Sequence, residues 1–176
     1  MGDMETMDAH AGSHGAQHTG RALTAAITLV LVAATISEGL VALGVVGLSP
    51  STGDWDVRNI LLVAAFLALF FGGPLFVAAA AFTRFAEGLR PGVPFVALAT
   101  GAVVVARFLS YDPYYAPYLR RMSDGGILPG WWIVVLAGAA LGAAVLARRD
   151  PRMGLVLTGV VMFLAGPTIF VAGLGH

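Results

Sequence analysis

The sequence predicts an all-α protein, a polytopic bundle of five transmembrane helices. Three observations carry that reading. The 176 residues are 58% hydrophobic and only 11% charged, with a mean hydropathy of +0.84. A soluble domain carries about 25% charged residues, so this chain has too few to coat a surface facing water. Five apolar segments of roughly 16 to 27 residues stand between polar linkers, and a bilayer core needs about 20 residues of helix. None of the segments alternates apolar and polar residues as a half-buried strand does, and inside lipid only helices or closed barrels satisfy the backbone.

Residues 1–20 read as a disordered polar tail ahead of a transmembrane domain over 21–176. Asp3, Glu5 and Asp8 precede the first arginine, which is not the charge order of a secretory signal. The tail places His10, His14 and His18 after Met1, Met4 and Met7. Imidazole and thioether suit copper, and imidazole alone suits zinc or nickel, so the three histidines are candidate metal ligands. Against this, "AGSHG" breaks any helix that would align them, and the segment has no apolar core. No cofactor is predicted.

The first span covers about 22–48 and is interrupted by one carboxylate, Glu38. A turn-rich loop, "SPSTGDWDVR", leads to the second span, about 59–82, closed by Arg84. Gly and Pro in "EGLRPGVP" end it and open the third and shortest span, about 92–110, which carries Arg107. The fourth span, about 131–147, is closed by Arg148 and Arg149, and a tight basic turn leads to the fifth, about 153–174. Pro74 and Pro167 lie within the second and fifth spans and predict helix kinks. "FFGGPLFVAA" (70–79) and "FLAGPTIFVAG" (163–173) echo each other around these prolines, a pattern that inverted repeats of transporters also show.

The long loop over 111–130 concentrates Tyr111, Tyr114, Tyr115 and Tyr118, with Arg120 and Arg121, and Trp131 and Trp132 follow it. Aromatic rings with a polar tip favour the headgroup level, so the stretch reads as an interfacial belt. It is also the candidate ligand or lipid site, because aromatics and cations coincide there.

Glu38 needs an explanation, since an ionised group near the bilayer centre costs about 2.5–3.5 kcal/mol on insertion scales. Spans one and three run the same way. At about 1.5 Å per residue, Glu38 and Arg107 both fall roughly 20 to 24 Å from the inner edge. The expectation is an intramembrane ion pair that fixes helix register. The alternatives are a proton, ion or ligand path through Glu38, or Arg107 snorkelling outward past a protonated Glu38. Ser37 and Ser110 are available as further polar partners.

Orientation follows from arginine, the only basic residue type other than histidine. Arg21, Arg84, Arg90, Arg148, Arg149 and Arg152 fall on the N-terminal side of the spans, against Arg58, Arg120 and Arg121 opposite. The positive-inside rule then predicts a cytoplasmic N-terminus and an outside C-terminus, and arginine in place of lysine suggests a GC-rich prokaryote.

Several classes of function are excluded or left without support. Zero net charge offers no field for nucleic acid. The absence of cysteine removes disulfides, thiolate metal sites and a cysteine nucleophile. No histidine falls inside a predicted span, which removes bis-histidine haem ligation there. No catalytic motif is present, so the chain does not read as an enzyme. Small residues recur at spacing four, at Ala64, Ala68 and Gly72, at Ala97 and Gly101, and at Gly138 and Gly142, and such faces let helices pack closely. The sequence therefore points to a non-catalytic accessory subunit of a larger membrane complex, of the respiratory or energy-converting kind. Its partners are lipid and either other membrane subunits or a second copy. The alternatives are a small transporter or channel using Glu38, Arg107 and the kinked helices, and metal handling through the tail.

Overall fold

In the computed structural model, the described residues are 3–45, 57–110 and 130–171, with side chains described except at 3–14, 16, 83, 84, 130 and 171. They form six helices: α1 (Asp3–Ala42), α2 (Val57–Ala79), α3 (Thr83–Leu89), α4 (Val93–Leu109), α5 (Gly130–Arg149) and α6 (Pro151–Val171). Four are long and apolar enough to cross a membrane: Gln17–Ala42 within α1, α2, Trp131–Arg149 within α5, and Pro151–Phe170 within α6. Helix α4 is the shorter apolar one, with 17 residues. It still runs the length of the bundle beside α1. Its start, Gly92, touches Thr24, and its end, Arg107 and Ser110, reaches Glu38.

Helix α1 is longer than the sequence suggests. Residues 3–20, part of the tail expected to be disordered, form its first turns. A helix is costly to nucleate and cheap to extend. The apolar span supplies the nucleus, and Met, Glu, Ala and Gln extend it backwards despite about 1 kcal/mol for each glycine. Its far end closes earlier than Leu48, by a glycine cap. Gly44 takes a left-handed φ of 68°, Val45 N–H bonds Leu40 O at 3.0 Å, and Gly44 N–H bonds Val41 O at 2.9 Å.

Helix α2 stops at Ala79, short of Phe82. The N–H groups of Ala81 and Phe82 bond carbonyls three residues back, each at 3.0 Å, which tightens the last turn. Phe82 is extended, and α3 follows where the sequence suggested a linker. Helix α3 lies against α1, with Gly88 facing Gly20. Between α5 and α6 stands only Asp150, whose Oδ1 accepts from Arg152 N–H at 3.0 Å and Met153 N–H at 3.2 Å. This is an N-cap followed by proline at the first helical position.

The most extensive pairing is α2 against α6, antiparallel. Here the two echoing segments meet each other. A carbon added at Gly73 would lie 2.8 Å from Phe163 N, and one at Gly166 would lie 3.3 Å from Phe70 N. The rings of Phe70 and Phe163 stack at 5.3 Å, and Phe66 meets Phe170 at 4.9 Å. Pro74 and Pro167 sit inside unbroken helices on either side of this seam. Helix α4 packs between α1 and α5, with Gly101 opposite Ala140.

The interior is formed by Leu31, Leu69, Phe76, Val103, Leu155 and Met162. The outside is just as apolar: Leu29, Phe71, Phe95, Val134 and Phe163 are exposed, one on each long helix. Soluble monomers rarely expose contiguous apolar surface of this kind, whereas lipid is its natural solvent. Close backbone approach, rather than a difference in polarity between inside and outside, therefore has to organise the bundle.

This assigns different costs to two helical glycines. A carbon at Gly73 would lie 2.7 Å from Gly159 O, while Gly138 has nothing within 4 Å. Gly73→Ala should destabilise the bundle by about 1–3 kcal/mol, the usual cost of overpacking. Gly138→Ala should be neutral or slightly stabilising. Thermal unfolding of both variants in detergent checks this; equal melting temperatures would contradict the α2–α6 seam.

Candidate functional site

Glu38 lies four residues before the end of α1, at the pole where that helix's dipole disfavours an anion. It is fully buried. A carboxylate so placed requires donors from other elements, and three converge on it. Arg58, the second residue of α2, forms a fork. Its Nε donates to Glu38 Oε1 at 2.8 Å and its Nη2 to Oε2 at 3.1 Å. Arg107, in the last turn of α4, donates from Nη1 to Oε2 at 3.0 Å. Ser110, the C-cap of α4, contacts the same oxygen with its hydroxyl, which also lies 3.0 Å from Arg107 O. One hydroxyl proton serves one acceptor at a time, and the bond to the carboxylate is the charge-assisted one.

The burial of the partners is graded. Arg107 has 3% of its side chain exposed and Arg58 16%. Arg107 is thus enclosed in the bundle. Among the described residues the cluster holds one carboxylate and two guanidinium groups, and it joins the end of α1, the start of α2 and the end of α4. The structure brings together Glu38 and Arg107, which the sequence paired by height. It adds Arg58, which the sequence placed in the preceding loop. The missed signal is reach: a residue at the first turn of α2 needs only its long side chain to meet a group about one turn below the end of α1. Among the described residues, the side chain of Ser37 makes no hydrogen bond.

The other candidates do not assemble into one site. Tyr111, Tyr114, Tyr115, Tyr118, Arg120 and Arg121 lie outside the described residues. Trp131 is exposed at the start of α5, and Trp132 turns inward, donating from Nε1 to Thr168 Oγ1 on α6 at 3.2 Å. The two indoles meet edge to face at 6.0 Å. Trp132 is therefore a peg between two helices. The side chains of His10 and His14 are outside the described residues, and His18 is exposed. His18 lies at the start of the Gln17–Ala42 span, so the apolar part of α1 begins earlier than the sequence suggested and includes one histidine. Among the described residues no three His, Asp or Glu side chains cluster as a metal site would need.

Two grooves mark the described surface. One, about 280 Å³, lies between α4 and α5 and is lined by Leu98, Val105 and Leu141 among others. The second, about 490 Å³, lies between α1 and the start of α4. Neither is lined by Glu38, Arg58 or Arg107. No known family model, curated protein or solved structure matches this chain.

The charge count predicts an order of effects. Among the described residues, losing either arginine leaves one cation on the carboxylate, whereas Glu38→Gln removes the anion that both guanidinium groups contact. Glu38→Gln should cost about 3–5 kcal/mol, the range for removing one partner of a buried pair. Arg58→Gln should cost about 1.5–3 kcal/mol, the range for a hydrogen bond to a charged group. Melting of the two variants in detergent tests the ranking; Arg58→Gln proving the more damaging would contradict it.

Proposed function

We propose that the protein is a non-catalytic accessory subunit of a larger membrane assembly in a prokaryotic cytoplasmic membrane, with its N-terminus inside. The observation that carries this reading is the outward face of α5. Several small residues in this bundle mark close approaches between helices: Gly73 meets Gly159, Gly101 meets Ala140 and Gly154 meets Ala147. Gly138 and Gly142 have the same spacing and nothing within 4 Å of either. They are flanked by exposed Val134, Leu141 and Val145. An exposed face with small residues at every fourth position suits a transmembrane helix of another subunit.

The orientation is supported by the distribution of arginines. Arg21, Arg90, Arg148, Arg149 and Arg152 are exposed at the end of the bundle where α1 and α4 begin. Arg58 and Arg107, at the other end, are both engaged by Glu38. The alternative of a transport path through Glu38 has less support, since among the described residues its carboxylate is held by three partners and it lines neither of the two grooves.

Purification of the tagged protein from its native membranes in mild detergent tests the proposal. We expect a distinct membrane protein to co-purify, and Gly138→Leu with Gly142→Leu to abolish its recovery while leaving the melting temperature of the isolated chain unchanged. A solitary monodisperse monomer, or an assembly of this chain alone, would contradict the accessory role.

A further inference from the structure

We infer that the groove between α1 and α4 is a binding site for one anionic glycerophospholipid of the inner leaflet. The inference uses the orientation proposed above, but its chemistry comes from the groove. Helices α1 and α4 run parallel, and at their shared lower end Gly92 is pressed against Thr24 backbone to side chain. Beside that contact the helices leave a groove of about 490 Å³. Arg21 lines its mouth, and Leu29, Val32, Pro91 and Phe95 line its length. From Arg21 to Val32 is eleven residues, about 16 Å along a helix, which matches the reach from a headgroup down much of one acyl chain.

The polar groups of the groove differ in what they still need. Thr24 and Thr28 give their hydroxyl protons to their own helix, Thr24 to Arg21 O at 3.0 Å and Thr28 to Thr24 O at 2.7 Å. Among the described residues the Arg21 guanidinium has no hydrogen bond or ion pair. Arg90, exposed, immediately precedes Pro91 in the chain, so a second guanidinium stands near the mouth. Glu87, the nearest acid on α3, does not line the groove. The first turn of α4 also opens at this end, and its dipole favours an anion.

A phosphate accepts bidentately from guanidinium, and basic pockets between transmembrane helices on the cytoplasmic side hold anionic headgroups. A cationic choline would meet the same positive end and be repelled. The apolar walls exclude free phosphate as the natural occupant, since it would leave Leu29, Val32 and Phe95 uncovered.

The test is native mass spectrometry of the full chain released from mixed micelles of dioleoyl-phosphatidylglycerol and dioleoyl-phosphatidylcholine. We expect one phosphatidylglycerol to be retained in preference to phosphatidylcholine. Arg21→Gln should reduce its retention about five-fold, the effect of one cation near a charged lipid surface. Leu29→Trp should reduce it by filling the groove without changing charge. Arg148→Gln with Arg149→Gln, at the same end but on α5, should leave it unchanged, and inorganic phosphate should not compete. Melting temperatures equal to wild type keep loss of fold from imitating loss of lipid. Equal retention of the two lipids would overturn the site, as would an Arg21→Gln loss no larger than that of the α5 pair, which would mean diffuse attraction to the leaflet. Neither result bears on whether a partner subunit docks on α5.

Discussion

A single carboxylate holds together the end of this bundle where α1 and α4 finish. Glu38 receives Arg58 from α2 and Arg107 from α4, and Ser110 closes the remaining side. In an apolar solvent an ionised side chain without a partner is costly, so each of these three charges depends on the others being in place. The cluster does more than neutralise. Parallel helices of nearly uniform hydrophobicity have little to set how far one slides past the other. The Glu38–Arg107 bond sets that register for α1 and α4, and the Arg58 fork fixes where α2 begins relative to the end of α1.

The opposite end is organised by shape. Gly20 lies on Gly88, Gly92 on Thr24 and Gly154 on Ala147, contacts that leave no room for a side chain. Between the two ends, α2 and α6 interlock through their own related segments, with Gly73 against the Phe163 backbone and Gly166 against that of Phe70. Ionic register at one pole and backbone contact elsewhere form a coherent strategy for a chain whose surface and core are equally apolar, because burial alone would not choose one packing over another.

Fold class and the order of helices were legible in the sequence because span length and hydropathy reflect the thickness and polarity of the solvent directly. The pairing of Glu38 with Arg107 was legible for a similar reason, since counting residues along parallel helices gives depth. Arg58 was not, because a helix boundary displaced by two residues moves a side chain from loop to site. Helix α3 and the early end of α2 were hidden by the same apolar composition that identified the span, since Ala79–Phe82 carries no polar stop. The helical start of α1 reflects extension from a strong nucleus, which local glycine rules do not register. Which small-residue face points inward was also invisible: Ala97, Gly101, Gly138 and Gly142 look alike in sequence, and only the first two are covered by a neighbouring helix of the chain.

A charge swap tests the central interaction most directly. Glu38→Arg alone places three cations together and should lower the melting temperature more than Arg107→Glu does. Glu38→Arg combined with Arg107→Glu restores the acid–base pair between α1 and α4 while leaving Arg58 facing a cation. The double variant should regain part of the melting temperature lost in Glu38→Arg, with a coupling energy in the range of about 0.5–3 kcal/mol found for residues in contact. Recovery no better than the sum of the two single losses would contradict it, because the two side chains would then be acting independently.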